Sequence, residues 1–152
     1  MKFAANATPA LALLNHLGMS TSASVQRKRR APELRVLVVD DEPLIRRTIV
    51  ELLTRDGHSA DSASNGIEGL DKLRAGAFDV VITDRTMPHM TGDELAAEIK
   101  RASPEMPVIM LTGWAETMTA AGEHPAGVDV LVGKPPTIES IRRALDEAPL
   151  AR

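Results

Sequence analysis

Residues Asp79 to Pro88 read DVVITDRTMP. Val80, Val81, Ile82 and Thr83 are apolar or β-branched and too few for a helix, so they predict a short buried strand stopping at Asp84. In an open parallel α/β sheet an acid at that point lies on the edge where the loops leaving the strands form a ligand crevice. On its own Asp84 would be read as a turn former or a helix cap. Three other strand ends argue for a site.

Upstream, Leu34 to Val39 (LRVLVV) is a second β-branched run, and it ends in Asp40-Asp41-Glu42-Pro43. Three adjacent acids repel one another unless a cation or solvent relieves them. Pro43 suits the first turn of a helix. Leu44, Ile45, Ile49, Leu52 and Leu53 follow at helical spacing, and Gly57 closes that helix. His58 to Ala63 alternates weakly, as a strand does. Asn65 is placed to cap a helix with Ile67, Leu70 and Leu73 on one face, ending near Gly76.

Downstream, Thr91 or Gly92 opens a helix with Leu95 and Ile99 inward, stopped before Pro104. Pro107 to Leu111 is a buried strand ending in Thr112-Gly113. Trp114 to Gly122 is a poor helix bounded by Pro125 and Gly127, and Trp114 to Gly127 is expected to be mobile on its own. Val128 to Val132 is the fifth strand, ending at Gly133-Lys134-Pro135-Pro136, and Ile138, Ile141 and Leu145 mark the last helix. Strands alternating with helices through short connections predict a five-stranded parallel sheet with helices on both faces, a flavodoxin-like α/β fold.

The rest of the composition narrows the function. The chain has 152 residues, 43% of them hydrophobic, which suffices for one core. It has no cysteine, which removes disulfides, thiol catalysis and cysteine-based metal sites. A net charge of −3, one Trp, two Phe and no Tyr give neither a basic field nor a stacking platform, so no nucleic-acid partner is expected. No apolar run approaches the ~20 residues needed to cross a bilayer. A soluble, cytoplasmic protein without membrane partners is expected. Residues 1–33 are unlike the rest: Pro9 to Leu17 is short and interrupted by Asn15 and His16, and Arg27 to Arg30 is a basic run fitting a solvated linker. That extension reads as a frayed tail or a weak docking helix. The domain proper is placed at 34–148, with 149–152 a tail.

Asp40, Asp41, Asp84, Thr112 and Lys134 should therefore converge on one edge of the sheet. A carboxylate cluster without Cys or clustered His is an oxygen-donor site suited to Mg²⁺ or Mn²⁺. A lysine and a hydroxyl beside it can hold phosphoryl oxygens, and Asp84 is left as the nucleophile that would form an acyl phosphate. The four histidines, His16, His58, His89 and His124, have no ligand spacing and read as surface residues, with His89 and Arg85 flanking the acid.

Four motifs in this order, VVDDEP, ITDRTMP, LTG and GKPP, resemble the response-regulator receiver domain of two-component signalling over about Arg35 to Ala148. The resemblance implies a CheY-like fold. It implies that Asp84 accepts phosphoryl from a sensor histidine kinase or a histidine phosphotransfer protein. Asp41 would be the direct metal ligand with Asp40 its acidic partner, and the backbone carbonyl of Thr86 would complete the protein ligands. Thr112 would be the switch hydroxyl, Lys134 the phosphate contact, and Lys134-Pro135 a cis peptide. Such domains self-phosphorylate and autodephosphorylate without turning over an external substrate. Signalling would run to a downstream protein through Trp114 to Gly122, the fifth strand and the last helix, the α4-β5-α5 face, with a homodimer left open. The chain departs from the family at Leu131, where an aromatic switch residue is usual. Trp114 could pack over its loop or lie exposed near the acid.

Three other folds or roles use part of this pattern. A haloacid-dehalogenase-type phosphatase needs a second Asp two residues after the nucleophile, where this chain has Thr86. A nucleotide-binding flavodoxin-like module needs a Gly-rich loop after the first strand, where DDEP would repel a phosphate. A non-phosphorylated pseudo-receiver serving only protein contacts is the remaining alternative, kept open by Leu131.

Overall fold

The computed structural model describes residues 33–151, so what was expected of the extension at 1–33 lies almost wholly outside the described residues. Within them the chain alternates strictly: β1 (Arg35–Val39), α1 (Pro43–Arg55), β2 (Ser59–Ala63), α2 (Gly66–Ala75), β3 (Val80–Asp84), α3 (Gly92–Ala102), β4 (Val108–Thr112), α4 (Ala115–Ala120), β5 (Val130–Gly133) and α5 (Ile138–Glu147). All the strand pairings are parallel, in the order β2-β1-β3-β4-β5. This is the flavodoxin-like sheet the alternation predicts.

Alternate strand residues feed two cores. Val36, Val38, Val80, Ile82, Ile109 and Leu111 pack with Ile49 and Leu53 of α1 and Ile141 and Leu145 of α5. On the other face Leu37, Val39, Val81 and Met110 pack with Leu95, Ala96 and Ile99 of α3, with Leu70 and Leu73 of α2 partly buried against them. Central strands buried on both faces need continuous apolar runs, and that is what VVIT and VIML supply. Among the described residues no helix is long and apolar enough to cross a membrane.

Two helix positions expected inward point outward. Leu44 is 72% exposed and Ile67 is 55% exposed. The stripe of α1 that meets the sheet runs through Ile45, Ile49 and Leu53, and Leu44 lies a rotation away with exposed Thr48 and Glu51. In α2 the covered residues are Gly66, Gly69, Leu70 and Leu73, which leaves Ile67 with exposed Asp71 and Arg74. Both apolar side chains stand in the first turn after a strand end, beyond the sheet. Trp114, for which two placements were open, is 67% exposed.

The fifth strand starts two residues later than expected. Val128 is buried, but its N–H closes a turn on the Pro125 carbonyl at 3.2 Å. The Asp129 carboxylate then accepts the Val108 N–H and the Lys100 ammonium, both at 2.8 Å, so ladder pairing begins at Val130 opposite Ile109. His58 is likewise more than a surface residue, because its Nδ1 accepts the Leu34 N–H at 3.1 Å. The segment after the domain is not merely a tail, since Leu150 packs partly buried against the α1/α5 core.

The helix ends follow the sequence signals. Asn65 caps α2 by accepting the Glu68 N–H at 2.8 Å. Gly57 takes a φ of 92° just after α1, a conformation costly for a residue with Cβ. Thr91 and Glu94 form a reciprocal capping box on α3. Replacing Thr91 by Ala removes one acceptor for an orphan N–H and should cost about 1 kcal/mol, roughly 4 °C in Tm. Thermal unfolding followed by circular dichroism checks this, and an unchanged Tm would mean that solvent caps α3 equally well.

Candidate phosphoacceptor and metal site

The sheet register delivers the polar strand ends to one place. Val39 pairs with Thr83, so Asp40 and Asp84 emerge side by side from β1 and β3. Asp84 pairs with Leu111, and Thr112 with Gly133, so Thr112 and then Lys134 follow on the neighbouring strands. Strand order reverses between β1 and β3, which opens the crevice there.

Asp40, Asp84 and Thr112 are buried. Carboxylate oxygens of Asp40, Asp41 and Asp84 lie within 4.8 Å of one another. Lys134 reaches in from β5, its Nζ 2.7 Å from Asp84 Oδ1 and 4.0 Å from Glu42 Oε1. Asp84 Oδ1 also accepts the Arg85 N–H at 2.9 Å. Thr112 Oγ1 accepts the Trp114 N–H at 3.2 Å, which leaves the hydroxyl proton to be donated. Thr86 is exposed on the loop two residues beyond Asp84. The Lys134-Pro135 peptide is cis.

Charge is unbalanced in this pocket. Burial is the main force raising the Asp40 carboxyl from 3.8 to about 6, and repulsion from Asp84 and Asp41 adds to it, against the Glu42 N–H and Lys134. Burial pulls the Lys134 ammonium down, but the hydrogen bond and charge of Asp84, with Asp40 and Glu42 behind it, outweigh burial and raise it. Asp40 Oδ1 accepts the Glu42 N–H at 2.8 Å. Its Oδ2 is buried with no hydrogen-bond partner, alone in this among the described side chains. An orphaned carboxylate oxygen beside two further acids fits a hard divalent cation, and the all-oxygen donor set fits Mg²⁺ or Mn²⁺.

The loop after Asp84 is held by contacts the sequence did not announce. Gly92 donates its N–H to the Arg85 carbonyl at 2.7 Å. A Cβ at Gly92 would stand 2.3 Å from the Asp84 carbonyl oxygen, so only glycine lets α3 start this close behind the acid. The Arg85 guanidinium turns away from the pocket and is forked by Asp93, Nε to Oδ1 at 3.0 Å and Nη2 to Oδ2 at 3.2 Å. The only sequence signal was an Arg after the acid and an Asp in the first turn of the next helix. Nothing in their spacing foretells a fork. His89 is exposed with a φ of 71°.

Comparison with known proteins agrees with this geometry. Residues 36–146 match the family model described as the response regulator receiver domain. The transcriptional regulatory protein GlrR of Escherichia coli (strain K12) is 36% identical over 113 residues, 74% of this chain and 26% of that protein. The sensor histidine kinase RcsC of Salmonella typhi is 30% identical over 74% of this chain, which is 12% of the kinase. The chain thus matches only a small part of these curated relatives. Among solved structures, the chemotaxis response regulator CheY4 of Vibrio cholerae superposes with a TM-score of 0.68 at 30% identity, covering 76% of this chain and 98% of that one. The response regulator TrrA of Thermotoga maritima, in complex with Mg²⁺-BeF, gives 0.66 at 34% identity, covering 74% and 96%.

Proposed function

The chain belongs to the response regulator receiver domain family, and from that premise we propose that Asp84 accepts a phosphoryl group from a phosphohistidine. The donor would be a sensor histidine kinase or a histidine phosphotransfer protein. The observation that carries this reading is the Asp84 carboxylate set among Asp40, Asp41 and Lys134, with the ammonium 2.7 Å away.

In the transfer, a carboxylate oxygen of Asp84 bonds to phosphorus as the P–N bond breaks. The imidazole nitrogen leaves with the electron pair and is protonated from solvent. Lys134 exchanges its contact with Asp84 for one with a phosphoryl oxygen, and the Thr112 hydroxyl donates to another. Asp40, Asp41 and the Thr86 carbonyl, with Asp84, would hold Mg²⁺ or Mn²⁺, whose charge offsets that of the acid and the incoming phosphoryl group. That TrrA, to which this chain is similar, was solved in complex with Mg²⁺-BeF supports Mg²⁺ as the metal. Hydrolysis of the acyl phosphate resets the site, so the chain carries a signal rather than turning over an external substrate.

The phosphorylated form would then engage a protein target through α4, β5 and α5, by biasing two conformations of that face. Incubation with a small phosphodonor such as acetyl phosphate, followed by intact mass, tests the reading. With Mg²⁺ the protein should gain one phosphoryl group, released by hydroxylamine, and with EDTA it should gain none. A folded, metal-supplied protein that gains nothing would leave it a module for protein contacts only.

A further inference from the structure

How a change at Asp84 leaves the pocket is a question for the residues touching both the acid and the outer helices. Among the described residues, Arg85 does so by both of its ends. Its backbone N–H lies on Asp84 Oδ1 at 2.9 Å, and its guanidinium Nη1 points at Met118 Sδ on α4 at 3.1 Å. We propose that Arg85 is a positioning residue that couples the state of Asp84 to α4, with the Asp93 fork as its fixed pivot. The proposal rests on Asp84 being the phosphoacceptor.

The physical case begins with rigidity. Asp93 sits in the first turn of α3, a helix capped by Thr91 and anchored in the core by Leu95, Ala96 and Ile99. A two-bond fork to such a base gives the planar guanidinium a pivot, so movement of the Arg85 backbone tilts the plane about the fork and carries Nη1 with it. The N–H of Arg85 is shared between Asp84 Oδ1 and the Leu111 carbonyl at 3.0 Å. Transfer of a phosphoryl group turns one carboxylate oxygen into the bridging oxygen of an acyl phosphate, redistributes the negative charge, and so alters the acceptor that N–H faces.

The receiving element is built to yield. Helix α4 has six residues, too short to persist alone, and buries only Ala115 and Met118. Its first turn hangs on Trp114, whose carbonyl accepts the Met118 N–H at 2.8 Å and whose own N–H rests on Thr112 Oγ1. Thr112 Oγ1 holds that N–H while its proton is free for a phosphoryl oxygen, so the same hydroxyl ties the start of α4 to the state of the acid. An open groove of about 490 Å³ bordered by Arg85, Trp114, Met118 and His124 leaves room for the helix to shift. The side chain of Leu131, half-buried on β5, has no polar atom with which to sense either change.

Trp114 is the sole tryptophan, so its emission reports on the start of α4. Emission is measured before and after acetyl phosphate with Mg²⁺, and the change is divided by the phosphoryl occupancy from intact mass. The wild type should show a change that tracks occupancy. Arg85→Met, which keeps the bulk and loses the fork, should lose at least about three quarters of the change at matched occupancy. Asp93→Asn, which weakens the pivot from the other side, should lose a comparable part. Arg85→Lys should recover some response, and Leu131→Ala should retain the wild-type response. Circular dichroism and Tm identify any variant that has not folded, and the two independent substitutions keep the test intact if one fails. A full response in both Arg85→Met and Asp93→Asn, or a response abolished by Leu131→Ala alone, overturns the coupling role. Absence of phosphoryl on the wild type overturns the phosphoacceptor reading beneath it, a result the mass measurement separates from the first.

Discussion

Asp84→Asn is expected to take up no phosphoryl group from a phosphodonor that labels the wild type, a loss of about 10³-fold or more in initial rate. The substitution keeps the shape of the side chain and an oxygen for the Arg85 N–H, but an amide oxygen has little of the carboxylate's nucleophilicity and would leave no stable acyl phosphate. It also removes one charge from the cluster that would hold the metal. The fold should tolerate the change. Lys134 loses its partner but is a quarter exposed, so the ammonium can turn to Glu42 and to water. The discriminating readout is intact mass under conditions that saturate the wild type, with circular dichroism to confirm folding. Labelling of Asp84→Asn at an undiminished rate would place the phosphoryl group on another acid, Asp40 or Asp41 first, and the assignment of Asp84 would fall.

The strand ends made much of this legible from the sequence. In a parallel sheet with helical crossovers every strand's C-terminal end lies on the same edge, so finding where VLVV, VVIT, VIML and the fifth run stop was enough to gather Asp40, Asp84, Thr112 and Lys134. Capping signals are local, and Asn65, Thr91 and Gly57 act where they were read. What stayed hidden depends on distances between elements. The outward turn of Leu44 and Ile67 follows from the angle at which each helix meets the sheet, and a list of apolar positions does not contain that angle. The apolar run begins two residues before β5 because Val128 is apolar and buried yet belongs to a turn. The Arg85 fork and the close passage of Gly92 behind Asp84 are relations between a loop and a helix, fixed only when the chain has folded.

Asp40→Asn should make the metal-free protein more stable at neutral pH, because it removes a buried charge that is not fully paired. The folded state holds the Asp40 proton more tightly than the unfolded chain, 3.8 becoming about 6, so ionising this carboxyl opposes folding. The contribution of Asp40 to stability is therefore greatest below 3.8 and declines as pH rises toward about 6, by about 3 kcal/mol over that interval. Asparagine removes this penalty while its Oδ1 still accepts the Glu42 N–H, and its amide provides a donor where Asp40 Oδ2 had no partner. In EDTA at pH 7.5 urea unfolding should give the variant an advantage of up to about 3 kcal/mol, shrinking steadily as pH falls toward 3.8 and vanishing below it. Adding Mg²⁺ should stabilise the wild type and help the variant far less, so the advantage narrows or reverses. A variant less stable than wild type in EDTA at pH 7.5 would mean that the repulsion among Asp40, Asp41 and Asp84 is already relieved without metal. The expected result would show instead that the pocket gives up stability in the empty state to keep its carboxylates unmatched, and that the unmatched charge is what a divalent cation answers.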